Sequence, residues 1–99
     1  MKYGYATVAA AIPSVKVADT DYNVAQITSM ISEAEERGVE IIVFPELSIT
    51  GYTCQDLFRS DVLLRRAEES LISLLNDTRK VDIISIVGMP VAVDGLLLN

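Results

Sequence analysis

Apolar residues fall in short dense blocks, and the stretches between them carry apolar positions on a helical period. Residues 6–12 form the first block, closed by Pro13, and read as a buried strand. Residues 14–22 are polar and mixed, as in a connecting loop, and Asp21 or Asn23 is suited to cap a helix that follows. Val24, Ile27, Ile31 and Ala34 then recur at helical spacing, with Glu33, Glu35, Glu36 and Arg37 mainly on the opposite face. Gly38 fits the position just past the helix end. Residues 39–44 barely alternate, which predicts a parallel strand buried on both faces. Strand, helix and strand together make a right-handed βαβ unit.

Residues 45–59 form a long connection, and long ordered connections often carry function. Ser60 or Asp61 caps a second helix, whose apolar stripe is Leu64, Ala67, Leu71, Leu74 and Leu75, and residues 76–80 end it. Residues 82–87 are a third strand, and 91–93 continue extended. Asp94-Gly95 suits a two-residue hairpin turn into Leu96, Leu97 and Leu98. The pattern predicts an α/β chain with a βαβαβ opening and two helices on one face of the sheet. No linker, repeat or low-complexity tract divides it. A hairpin ending in three leucines suggests that these 99 residues open a longer protein.

Composition narrows the chemistry. Apolar residues make up 51% of the chain and charged residues 22%, the balance of a globular protein. No apolar run approaches membrane-spanning length, and the first residues lack the shape of a signal peptide, so the expected location is the cytoplasm. A net charge of −6 with scattered Lys and Arg argues against nucleic acid or an anionic membrane as partner. The chain has one cysteine and no histidine. It therefore cannot supply an internal disulfide, a histidine-ligated zinc site, or Ser-His-Asp or Cys-His catalysis by itself.

The densest local signal is Phe44-Pro45-Glu46-Leu47-Ser48-Ile49-Thr50-Gly51-Tyr52. Pro45 has no N–H for a sheet ladder, so the strand stops there and Glu46 stands just past its carboxyl end, where open α/β sheets gather functional groups. The plainer reading of Glu46 is a strand-end acid that caps a turn or pairs with an arginine. Cys54 reads as a structural thiol, since no histidine or matched lysine stands near it in sequence. Tyr52 either packs the loop or lines a site, and Gln55 and Asp56 suit loop hydrogen bonding.

The chain resembles the N-terminal part of a nitrilase-superfamily (carbon–nitrogen hydrolase) domain, and more narrowly the glutaminase domain of glutamine-dependent NAD synthetases. The matching pieces are Ala9-Ala10-Ala11-Ile12-Pro13, Val17-Ala18-Asp19, Tyr22-Asn23, Phe44-Pro45-Glu46-Leu47, Gly51-Tyr52-Thr53-Cys54-Gln55-Asp56-Leu57-Phe58 and Val87-Gly88-Met89-Pro90. The resemblance implies a partial α-β-β-α sandwich of the nitrilase type. It also implies Glu/Lys/Cys catalysis without a metal: a Cys thiolate attacks the side-chain amide of glutamine, a Glu is general base, and a Lys supports the charge of the intermediate. Glu46 matches that base, and partial burial would suit it to the role. Tyr52 matches an aromatic position beside the site and is the candidate substrate-binding residue. Lys2, Lys16 and Lys80 do not match the family lysine, so the Lys and Cys are expected beyond residue 99.

On this resemblance residues 1–99 are the first segment of a glutaminase domain, incomplete at the C-terminus and inactive alone. The parent protein releases ammonia from glutamine for ATP-dependent amidation of deamido-NAD. ATP and Mg are expected only in a separate synthetase domain, and no cofactor is expected in this segment. The implied partners are glutamine, the rest of the domain, the synthetase domain and further copies of the protein, since superfamily members commonly pair through their sandwiches. Two alternatives stand beside it: a nitrilase-type hydrolase of another small amide or nitrile, and a non-catalytic stub completed by a partner subunit. A small doubly wound ligand-binding domain is poorly supported, because no glycine-rich phosphate loop follows the first strand.

Overall fold

The computed structural model describes residues 4–51 and 60–98. Three short strands, β1 (Val8–Ala10), β2 (Ile41–Val43) and β3 (Ile84–Ile86), form a parallel sheet in the order β1-β2-β3. Helix α1 (Thr20–Glu36) joins the first pair and α2 (Asp61–Asp77) lies between the second. Crossovers of one hand that step the same way across a sheet place their helices on the same face. The helices do lie against each other, and both contribute to one core. That core joins Val24, Ile27, Ile31 and Ala34 of α1 and Ala67 and Leu74 of α2 to Ile42 and Phe44. The predicted fold class and the helical face of α1 are thus found, with strands shorter than the apolar runs that encode them. Beyond the sheet, β4 (Val91–Val93) and β5 (Leu96–Leu98) form the expected antiparallel hairpin. Asp94 and Gly95 both take positive φ, at 51° and 81°, as a tight turn matched to strand twist requires.

The helix ends show where sequence and structure part. Asp19 caps α1, rather than Asp21 or Asn23, and its carboxylate accepts the Tyr22 amide at 3.1 Å. Asp19, Asp21 and Asn23 are all competent caps, so pattern alone does not choose among them. The structure chooses because the Asn23 side chain is used elsewhere, and Asp21 is left in the first turn facing the helix's positive end. Gly38 ends α1 as expected, at φ 78°. Its amide donates to Glu35 O at 3.0 Å and the Val39 amide to Ala34 O at 3.0 Å, the paired bonds of a Schellman stop. Ser60 caps α2, accepting the Leu63 amide at 3.4 Å.

The buried face of α2 is Leu63, Ala67, Ser70 and Leu74, which shares Ala67 and Leu74 with the expected stripe but is rotated toward Leu63 and Ser70. Leu64 and Leu71 are half-buried at its margin, and Leu75 is 60% exposed. The neighbouring pairs Leu63-Leu64 and Leu74-Leu75 fit two adjacent stripes equally well. The small side chains of Ala67 and Ser70 favour the face that lets α1 approach.

The sheet is covered on one side only among the described residues. Ile42 and Phe44 are buried under the helices, whereas the opposite face carries Val8 and Ile84, 64% and 62% exposed, with Val43 and Ile86 beside them. The register aligns Val8, Ile41 and Ile84 in one row and Ala10, Val43 and Ile86 in the next. The β2 run lacks alternation because its second face is apolar too, not because the described residues bury both faces. Among the described residues no helix is long and apolar enough to cross a membrane.

The face of α2 is open to direct test. Leu63→Ala should cost about 2–4 kcal/mol in denaturant unfolding of the protein, as for a buried leucine. Leu75→Ala should stay within about 0.5 kcal/mol, the usual range of a surface change. The reverse order would restore the stripe expected from the sequence.

Candidate functional site

The strands finish together at one edge. Beyond the paired registers, the Ala11 amide donates to Val43 O at 2.9 Å and the Phe44 amide to Ile86 O at 2.9 Å. Pro45 then interrupts the ladder as expected, and residues 46–50 turn across the carboxyl edge of the sheet. Leu47 carries the bend at φ 54°, in the left-handed region that costs a non-glycine residue about 1–2 kcal/mol. Its carbonyl accepts both the Thr50 amide at 3.2 Å and the Gly51 amide at 2.8 Å. Glu46 is exposed at the start of this turn, while Ser48, Ile49 and Thr50 are buried. The partial burial expected of Glu46 is therefore not supplied by the described residues.

Two flanking segments hold the turn. From the β3 side, the Ile49 amide donates to Gly88 O at 3.0 Å, and the Gly88 amide to Ser48 Oγ at 3.3 Å. From the other side, the Ala18 amide donates to Thr50 O at 2.7 Å. Asn23 reinforces this second seam from within α1. Its Nδ2 donates to Lys16 O and to Ile49 O, both at 2.8 Å, and its Oδ1 accepts the Lys16 amide at 2.7 Å. Asn23 is fully buried, and its amide satisfies the buried carbonyl of Ile49 and the part-buried backbone groups of Lys16.

Lys16, set aside as a match for the family lysine, lies with its Nζ 4.3 Å from the centre of the Tyr22 ring, a cation–π contact. The Tyr22 hydroxyl is 3.0 Å from Ser14 Oγ. Lys80 is exposed beyond the end of α2. Tyr52, Cys54, Gln55 and Asp56, named from the sequence, lie outside the described residues, as does Lys2. Of the two candidate site residues, the structure thus places Glu46 alone.

Sequence reasoning named Asn23, Ser48 and Gly88 but missed their part in this edge. A signal existed for Asn23. It precedes Ile27 and Ile31 by four and eight residues, which puts a polar amide in line with the buried stripe of α1. Ser48 and Gly88 stand in stretches singled out from the sequence, but their pairing left no local mark, because the two are forty residues apart.

With this geometry the relationship to known proteins is specific. The carbon–nitrogen hydrolase family profile matches residues 6–99, and the chain belongs to that family. A glutamine-dependent NAD(+) synthetase of Arabidopsis thaliana is 38% identical over 73 residues, covering 74% of this chain and 10% of the relative. One from Aquifex aeolicus is 36% identical over 74 residues, covering 75% of the chain and 13% of the relative. The crystal structure of a glutamine-dependent NAD(+) synthetase from Cytophaga hutchinsonii superposes with a TM-score of 0.84 at 34% identity, over 91% of this chain and 15% of that one. The fold is that of the nitrilase-like domain of an NAD synthetase. The chain spans about one eighth of the length of the curated relatives it matches, 13% for the Mycobacterium tuberculosis synthetase.

The Asn23 amide should show its worth in stability. Asn23→Ala strands the buried carbonyl of Ile49 and takes the partner from the part-buried amide and carbonyl of Lys16, and should cost about 1–3 kcal/mol in chemical unfolding. Asn23→Asp keeps the shape but turns a donor into an acceptor against two carbonyls, so it should cost at least as much at neutral pH. An Asp variant as stable as the natural protein would contradict the assigned bonds.

Proposed function

We propose that this chain is the opening segment of a glutamine amidase domain, one that releases ammonia for the ATP-dependent amidation of deamido-NAD to NAD. Family membership supplies the reaction class, cleavage of a carbon–nitrogen bond. The named relatives supply the substrate, as they are glutamine-dependent NAD(+) synthetases. The observation that carries the reading is the turn at the end of β2. A proline stops the strand, and the backbone after Glu46 is bonded to two separate segments of the fold. A merely solvated surface acid has no need of such a mount.

In the reaction proposed, Glu46 is the general base, and the nucleophilic Cys and supporting Lys lie beyond residue 99. Glu46 takes the proton of the Cys thiol as the sulfur attacks the glutamine side-chain carbonyl carbon. The Lys ammonium stabilises the oxyanion. Collapse breaks the carbon–nitrogen bond, and the proton passes from Glu46 to the leaving nitrogen as ammonia departs. Glu46 then takes a proton from water, which attacks the thioester, and returns it to the sulfur as glutamate leaves. Water and glutamine go in; glutamate and ammonia come out. Tyr52 belongs to the same proposal as a wall of the substrate site.

The sheet face that the described residues leave uncovered supports the domain assignment. A continuous apolar face of valines and isoleucines is unusual on a finished surface. We infer that later parts of the same domain cover it, so that residues 1–99 fold as one half of a sandwich and hydrolyse no amide alone. Use of ATP and Mg by a separate domain, cytoplasmic location and assembly into homo-oligomers belong to the same proposal.

In the complete protein, Glu46→Gln should lower glutamine-driven NAD synthesis by about 100-fold or more, the usual contribution of a general base. Synthesis from added ammonia should persist, because it bypasses the amidase. Equal loss of both activities, or survival of the glutamine-driven one, would count against the role of Glu46.

A further inference from the structure

We propose that Gly88, with Ser48, is a positioning residue for Glu46: the absence of a side chain at Gly88 lets the end of β3 press directly on the Glu46–Leu47 peptide and set where the carboxylate stands. The inference rests on the reading of Glu46 as the base. Gly88 is unlike the other described glycines. Gly4, Gly38 and Gly95 take positive φ with open space around them, and Gly51 takes positive φ with the Val17 backbone no nearer than 3.4 Å to a Cβ, so in all four glycine serves backbone conformation. The φ of Gly88 lies outside that region, so conformation does not call for glycine there. Space does. A Cβ built on Gly88 would collide with the Leu47 amide nitrogen and would stand 2.9 Å from the Glu46 carbonyl carbon and 3.1 Å from Glu46 Cα. Those obstacles are backbone, which cannot swing aside as a side chain does.

The contact is locked in register by the bonds described above. Gly88 donates to Ser48 Oγ at 3.3 Å and accepts from the Ile49 amide at 3.0 Å, so both of its backbone polar groups face the turn. Ser48 is buried, and its hydroxyl reaches the β3 end across forty residues of sequence. The Leu47 bend lies between these bonds, held in its uncommon conformation by neighbours on both sides. A methyl at Gly88 would therefore push on the peptide that carries the base and displace it from the substrate by a fraction of an ångström or more. Misplacement on that scale is costly for proton transfer.

The test compares Gly88→Ala, Ser48→Ala and Glu46→Gln in the complete protein. Gly88→Ala should lower kcat with glutamine about tenfold or more, and Ser48→Ala should lower it less, in the same direction. The KM for glutamine and ammonia-driven synthesis should stay close to their natural values. The acid limb of the glutamine kcat profile should move in both variants, because the base sits in altered surroundings; a smaller folded fraction would scale the profile without moving it. If Gly88→Ala does not fold, Ser48→Ala decides, since it removes one bond and adds no volume. Unchanged kcat and acid limb in Ser48→Ala, or equal loss of glutamine- and ammonia-driven synthesis in either variant, would overturn the inference. Glu46→Gln separates the two claims: if it keeps full glutamine activity, the reading of Glu46 itself fails. If it is inactive while Gly88→Ala keeps the natural rate and profile, only the positioning role fails.

Discussion

The arrangement of this chain depends on the buried amide of Asn23. One side chain in the first turns of α1 bonds both backbone groups of Lys16 and the carbonyl of Ile49. It thereby joins the loop after β1, the helix that loop feeds, and the turn that follows β2. A neutral amide suits the task because it offers a donor and an acceptor on one rigid plane, with no charge to desolvate. The bond to Ile49 O is buried, and there it is expensive to lose. The turn carrying Glu46 cannot shift without breaking it or the matching bonds from Gly88.

Pinning the turn from both sides explains how a short parallel sheet can present a carboxylate at a defined place. The strands are three residues long and add little rigidity of their own. What fixes the edge is the closure of each strand end on its neighbour: Ala11 on Val43, Phe44 on Ile86, and Ile49 on Gly88. Pro45 releases the chain from the ladder, and Leu47 turns it back in a conformation a leucine seldom takes. Sequence, backbone strain and packing thus converge at one point, the turn that carries Glu46.

The sequence revealed most of the elements and less of their seams. The α1 face was plain because Val24, Ile27, Ile31 and Ala34 have no competing stripe, and Gly38 and Asp94-Gly95 marked turns whose φ values only such residues take readily. The α2 face was ambiguous because adjacent leucines permit two readings, and only contact with α1 selects Leu63 and Ser70 over Leu64 and Leu75. The α1 cap was ambiguous because three residues could fill it, and the one drawn into the interior was Asn23. At the site, Glu46 stood out through the local grammar of strand, proline and acid. Ser48 and Gly88 did not, because a steric requirement across forty residues leaves no local periodicity. The apolar second face of β2 was legible, while what covers it is not written in these residues.

The proposed function makes one chemical claim, hydrolysis of glutamine, and substrate preference tests it most directly. Purified complete protein would be offered glutamine, asparagine, small aliphatic amides and nitriles separately, with ammonia release and acid product both measured. The account predicts glutamate and ammonia in equal amounts from glutamine, with the other compounds turned over far more slowly. Efficient hydrolysis of a nitrile or simple amide, with glutamine left intact, would contradict it and assign the chain to another branch of the carbon–nitrogen hydrolases.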